Sequence, residues 1–246
     1  MAPQASEKRH WQNWDEGDAA RRIDRYWLSN EGPWRRLLAR DMAAVFPKAG
    51  PVLEVGCGSG LIYAEMLKNR IVTPTSYTGG DVSRNMLAIA RERFPQVRFR
   101  ELDIFHLDLG DRSQPNVICI HVIQHLPYYD KAVLELMRVA GSRLYLVSWF
   151  KPAGEDEIIF SEPSEQWNGQ QFHNNSYSLP KFLDFILARS GRSVEGVRVQ
   201  HLDGANYSIC INFDRPQVRP RGLLSRLWHG RQTNSQRHEP KEQKRG

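Results

Sequence analysis

Cysteine is scarce in this chain. Three occur in 246 residues, Cys57, Cys119 and Cys210, odd in number and scattered through apolar or glycine-rich surroundings. That excludes a disulfide framework and leads us to expect reduced thiols in a cytoplasmic protein. Long apolar runs are missing as well. No stretch approaches the length of a membrane span, and Met1 to Arg9 lack the apolar core of a secretion signal and read as a solvated tail. Strong charge is absent from the body: residues 215–246 hold nine Lys or Arg against Glu239 and Glu242, so the net charge of +6 leaves residues 1–214 at −1. A hydrophobic content of 40% is enough to bury the core of one α/β unit.

Two phosphate-binding signatures are also missing. A dinucleotide turn needs glycine at its first, third and sixth positions; counted from Gly56, the third is Gly58 but the sixth is Leu61. The Gly-Lys-Ser/Thr ending of a nucleotide-triphosphate loop does not occur either. What stands there is Val52-Leu53-Glu54-Val55-Gly56-Cys57-Gly58-Ser59-Gly60, a buried strand end running into alternate glycines, followed by a helical pattern from Leu61 to Leu67. The glycines remove side chains where a ligand would lie on the backbone, and the helix directs its free N–H groups toward it. Glu54 suits a cationic or amine-bearing ligand better than a pyrophosphate. Tyr77 to Asp81 reads as a second strand ending in an acid placed to accept ribose hydroxyls. A helix start follows at Val82 to Arg91, then a strand at Val97 to Arg100 ending in Glu101-Leu102-Asp103-Ile104. An aspartate after a strand also reads as a turn former, but Asp103 is the third acid at a third strand end. Asn116 to Ile120 gives a fourth strand, Tyr129 to Val139 a helix and Ser142 to Trp149 a fifth strand.

Over roughly residues 50 to 150 these motifs resemble those of class I S-adenosylmethionine-dependent methyltransferases. The resemblance implies a Rossmann-like, doubly wound α/β fold with a seven-stranded sheet, an antiparallel final strand and an N-terminal helical cap. Its parts would be a tail and cap over 1–45, the methyltransferase domain over 46–214 and a basic tail over 215–246. It implies S-adenosylmethionine as cofactor. Glu54, Gly56, Gly58 and Gly60 would hold the methionine part, with Cys57 as a small filler. Asp81 would hold the ribose, and Asp103 with Ile104 the adenine. Val82, Met86 and His121 complete the cofactor set.

Methyl transfer from a sulfonium needs alignment and exclusion of water, with a base when the acceptor is a hydroxyl. His121, at the end of the fourth strand, is the first candidate; a wall residue that touches cofactor without moving a proton is the equal alternative. His173 lies in a long polar and aromatic loop over 161–177, the second candidate if that loop folds inward, and His125 is expected to pack the loop. His121 and His125 are spaced like zinc ligands on a helix, but Val122 stands where the protease motif has glutamate and no third ligand has telling spacing, so no metal is expected. Asn/Asp-Pro-Pro-aromatic, the mark of base-modifying relatives, is absent after the fourth strand, which argues against nucleic acid as a specific partner.

The acceptor would be a small molecule or a glycoconjugate, methylated on oxygen, met by Tyr26, Trp27, His125, Trp149, Trp167 and Tyr177. For Tyr26 and Trp27 the alternative is simple cover for the sheet edge, the preferred reading for Trp11 and Trp14. A capped helix over 178–191 and strands over 194–199 and 207–213 close the domain. Residues 221–231 place Leu223, Leu224, Leu227 and Trp228 on one helical face beside arginines. That face would rest on the inner face of a membrane, dock on its own domain or merely solubilise. The rival to an enzyme is a non-catalytic cofactor-binding scaffold recruiting partners through this tail.

Overall fold

The computed structural model describes residues 12–15, 18–30, 32–46, 50–152, 165–167 and 170–214; for Gln12, Asn13, 165–167 and 170–172 it describes the backbone only. Trp11, the side chain of Trp167 and the whole of the 215–246 tail, with its apolar face over 221–231, lie outside the described residues.

Helices α1 (Gln12–Asp15), α2 (Ala19–Ser29) and α3 (Pro33–Val45) come first. Pro33 sits at the first turn of α3, where its fixed φ suits a helix and its missing N–H costs nothing. Next come β1 (Val52–Val55), α4 (Leu61–Lys68), β2 (Tyr77–Asp81), α5 (Arg84–Arg93), β3 (Arg98–Glu101) and β4 (Gln114–Ile120). A 3-10 turn (Ile123–His125), α6 (Asp130–Val139) and the long β5 (Ala140–Lys151) follow. The chain continues through the hairpin β6 (Glu165–Trp167) and β7 (Gln170–Phe172), then β8 (Tyr177–Ser178), α7 (Leu179–Arg189), β9 (Val194–Asp203) and β10 (Asn206–Phe213).

The sheet runs β3-β2-β1-β4-β5-β10-β9, parallel except for β10, which is antiparallel to both its neighbours. This is the expected doubly wound arrangement with an antiparallel final strand. The structure adds an eighth member: β8 pairs in parallel with the end of β5, Phe150 opposite Tyr177. The chain winds outward from β1 to β3 and then returns to β4, so the switch point lies between β1 and β4, where a crevice opens at the strand ends.

Alternation along the strands feeds two cores. Leu53, Val55, Val117, Leu144 and Leu146 face α6 and α7 through Leu136, Met137, Phe182 and Ile186. Val52, Ile118, Ile120, Tyr145 and Val147 face the other layer through Met42, Met66 and Leu87. Burial on both faces explains the apolar run Val117 to Ile120 and the apolar residues that flank Glu54 in β1. The helix expected from Val82 starts instead at Arg84, because the Ser83 hydroxyl accepts the Met86 N–H at 3.1 Å and caps it. Ser178 caps α7 as expected, and Gly191 beyond its end takes a φ of +61°.

On the cap, Ala19, Ala20 and Ile23 of α2 pack on Met86 and Ile89 of α5, with Trp14 and Trp27 against that cluster. Trp14 therefore packs on α5 and not on the sheet edge. Among the described residues no helix is long and apolar enough to cross a membrane.

Candidate functional site

β1 delivers the chain into a turn that only glycine can make. Gly56 adopts a φ of +81°, and a Cβ there would lie 2.1 Å from Val122 Cγ2. Gly58, at +52°, would bring one to 3.3 Å of the Trp27 ring. The turn is thus gripped between the segment after β4 and the cap. Asp81 fixes it from β2: its carboxylate accepts the Gly58 N–H at 2.7 Å and the Ser83 N–H at 2.9 Å. Burial raises its pKa against those two bonds. Each oxygen keeps further lone-pair capacity for a ligand hydroxyl.

Glu54 is buried in β1, and one carboxylate oxygen, Oε2, accepts from the Tyr77 hydroxyl. The other, Oε1, is buried with no hydrogen-bond partner. Burial pushes its pKa up to about 8, opposed by the Tyr77 bond and aided by the Asp81 charge. An unsatisfied buried carboxyl is costly until a donor or cation reaches it.

Two cavities adjoin at the turn. The smaller, about 110 Å³, is lined by Asp81, Val82, Met86, Asp103 and Ile104. The larger, about 530 Å³, is lined by Glu54, Cys57, Tyr26, Trp34, Arg35, Gln124, Trp149, Asn174 and Asn206. Gly56, Gly58, Trp14, Trp27, His121 and His125 line both. Gly60 lines neither and serves in the left-handed conformation as the N-cap of α4. Asp103 combines both of its sequence readings, lining the small cavity while its side chain accepts the Phe105 N–H at 2.9 Å in a turn.

Residues 52–142 match the family described as "Methyltransferase domain". A phosphatidylethanolamine N-methyltransferase of Cereibacter sphaeroides is 32% identical over 129 residues, 49% of this chain and 59% of that protein. A trans-aconitate 2-methyltransferase of Variovorax paradoxus is 35% identical over 112 residues, 46% of this chain and 41% of that protein. The chain therefore spans about half the length of the curated relatives it matches. Phosphoethanolamine N-methyltransferase 2 of Haemonchus contortus, solved with S-adenosyl-L-methionine, superposes with a TM-score of 0.62 at 16% identity, covering 84% of this chain and 60% of that one. Residues 52–142 thus resemble a methyltransferase domain, and the fold around them is shared with S-adenosylmethionine-dependent methyltransferases.

The residues of this chain fit that cofactor. The unpartnered Glu54 oxygen would suit its ammonium, the glycine turn lines both cavities through Gly56 and Gly58, and Asp81 stands at the tip of the neighbouring strand.

Histidines close the site. His121 directly follows β4 with a φ of +55°, a conformation few non-glycine residues adopt. It is held there by its N–H to the Val147 carbonyl at 2.9 Å and by Gln124 Nε2 at 2.7 Å from its Nδ1. Gln124 Oε1 in turn accepts from the buried Ser148 hydroxyl at 2.9 Å, which assigns the amide orientation: a buried hydroxyl needs an acceptor. His121 Nδ1 is then an acceptor, and its proton sits on Nε2, which is buried without a partner. Burial, His125 and Arg35 depress its pKa to about 3, so the ring is neutral.

His125 is the opposite tautomer. Its Nδ1 lies 2.7 Å from the His173 carbonyl, an acceptor only, so Nδ1 carries the proton and Nε2 the lone pair. Burial lowers its pKa, while bonds to that carbonyl and to the Asn174 side chain work the other way. His173 thus enters through its backbone, and its ring lines neither cavity. Tyr177 also lies elsewhere: it is buried beneath the turn and donates to the Ile123 carbonyl at 2.7 Å, so packing accounts for it.

Rings form a continuous band: Trp34 to His121 at 4.7 Å, His121 to Trp149 at 6.2 Å, Trp149 to His125 at 6.0 Å, His125 to Trp14 at 5.4 Å and Trp14 to Trp27 at 6.2 Å. Arg35 lies over Trp34 and donates to the Trp27 carbonyl at 2.7 Å. Sequence reasoning missed Arg35, Gln124, Ser148 and Asn206 as parts of the site. Only Gln124, three residues after His121, carried a spacing that pointed there.

Proposed function

We propose that this chain is an S-adenosylmethionine-dependent methyltransferase acting on a small-molecule acceptor at oxygen. The observation that carries the reading is Glu54 Oε1, a buried and unpartnered carboxyl oxygen beside a turn of three glycines at positive φ. When bound, S-adenosylmethionine supplies a methyl carbon activated by its sulfonium. Glu54 would receive the ammonium, Arg35 the carboxylate, Asp81 the ribose, and Asp103, Ile104 and Met86 the adenine. The cap closes through Trp14 and Trp27, which line both cavities and exclude water.

The histidines divide the remaining work. His121, with its proton on Nε2, donates to the acceptor and holds it in line. His125, whose Nε2 carries the lone pair, would receive the hydroxyl proton as the acceptor oxygen takes the methyl group. The roles are thus redistributed from the sequence expectation that ranked His121 first as base. A reducing compartment agrees with three free, buried cysteines.

Calorimetry with S-adenosylmethionine, followed by transfer of labelled methyl from that donor to a low-molecular-weight product in extract, tests the proposal. Saturable binding and a labelled small product are expected. Binding without turnover on any extract would favour the scaffold alternative, and absence of binding would overturn both.

A further inference from the structure

The large cavity also says what kind of acceptor it takes. We infer that the acceptor is a flat, uncharged aromatic or heteroaromatic molecule carrying one hydrogen-bond donor and one acceptor on its rim, lying in the cavity that Trp34 and Trp149 line. The inference rests on the methyltransferase reading and extends it to the substrate.

Charge decides against the alternatives. Among the described residues, two charged ones line the cavity, Glu54 and Arg35. Both lie where the cofactor's ammonium and carboxylate are placed, so neither is left for the acceptor. An amine would meet no further acid among the described lining residues and would face the Arg35 guanidinium across Trp34. A phosphate or polycarboxylate would find no second cation among the described lining residues. Burying an unpaired charge is far costlier than burying a neutral ring.

Besides Glu54 and Arg35, three described lining residues carry an unsatisfied buried polar atom: Ser59 Oγ in the glycine turn on the cofactor side, and two atoms on the opposite wall. His121 Nε2 and Asn206 Oδ1 are buried without hydrogen-bond partners. Asn206 is the register partner of Trp149 across β5 and β10, and the Trp149 ring lies 6.2 Å from that of His121. The donor, the acceptor and the indole therefore belong to one wall, with Trp34 edge-on to His121 at 4.7 Å. A rim carbonyl or hydroxyl oxygen would accept from His121, and a neighbouring N–H or O–H would donate to Asn206. Indole faces favour flat π surfaces, and a site built on unpaired polar groups rejects molecules that cannot pair them.

The test uses the full chain saturated with S-adenosylhomocysteine, whose own binding is measured first by calorimetry. Three probes are then titrated: 2-quinolone (flat and neutral, with adjacent N–H and C=O), phosphoethanolamine and trans-aconitate. Only 2-quinolone is expected to bind. Its affinity should fall at least about tenfold in Trp149→Ala and in Asn206→Leu, while both variants keep their affinity for S-adenosylhomocysteine as proof of folding. Tighter binding of either charged probe, binding of none, or 2-quinolone affinity unmoved in both variants overturns the inference and leaves the methyltransferase reading standing. Failure to bind S-adenosylhomocysteine overturns the methyltransferase reading itself, and the acceptor assignment with it.

Discussion

Glu54 concentrates the physical chemistry of the site in one side chain. Its folded pKa of about 8, against an ordinary 4.5, means that the folded protein holds a proton the unfolded chain releases. The folded state binds more protons across that window, so stability falls as pH rises from 4.5 to about 8. Replacing it by the neutral isostere, Glu54→Gln, should make that decline shallower in thermal melts taken at successive pH values, and should remove cofactor binding. Asp81 works differently, because its carboxylate already secures two backbone N–H groups. Asp81→Ala should weaken S-adenosylmethionine affinity by about 1–3 kcal/mol, the scale of lost charge-assisted hydrogen bonds. Unchanged affinity by calorimetry would place the ribose elsewhere. Both acids were legible in the sequence, since a strand end fixes where a carboxylate sits. The tautomers of His121 and His125 were not. They depend on Ser148 and on the His173 carbonyl, distant in the chain and brought close only by the fold.

At the scale of elements, the cap is attached through the N-terminus of α5. Asp15, the last residue of α1, accepts from the Ser83 hydroxyl, the Arg84 N–H at 3.2 Å and the Asn85 N–H at 3.1 Å, a carboxylate set against the positive end of a helix dipole. A second tether joins Asp24 of α2 to Arg93 at the far end of α5, where Arg93 also donates to the Ser59 carbonyl of the glycine loop. Asp15→Ala should loosen the cap by about 0.5–2 kcal/mol, the usual cost of a lost helix cap. Hydrogen exchange should then speed up in α2 but not in β1 or β4. Equal protection in α2 would show that the tether is dispensable. The helices and strands themselves were readable from periodicity and from glycine and proline punctuation. This tether was not, because Asp15 and Ser83 are 68 residues apart, and no local pattern marks an acid as the cap of another helix. The two-residue β8 escaped for a similar reason: it exists only because β5 extends past the sheet to Lys151.

Across the whole molecule, Asp41 binds the cap to the sheet. Buried on α3, it accepts from Tyr145 of β5 at 2.7 Å, from Ser208 of β10 at 2.6 Å and from Arg198 of β9. One carboxylate thus joins the first layer of the chain to three strands from its second half. Asp41→Ala strands two buried hydroxyls and should cost about 2–4 kcal/mol in denaturant melts. A loss below about 0.5 kcal/mol, the range of ordinary surface substitutions, would mean that packing alone holds α3 in place. The overall topology was legible because each strand announces itself locally and the glycine turn places the switch point. The large cavity was only half legible: its tryptophans were conspicuous as a crowd, but Arg35 and Asn206 lie in a helix and a strand that read as ordinary.

That crowd has an optical consequence. Of seven tryptophans in the chain, Trp14, Trp27, Trp34 and Trp149 stand around one chamber. Intrinsic emission is therefore weighted toward the very space in which catalysis is proposed, and the unlabelled protein is its own reporter of what enters and leaves.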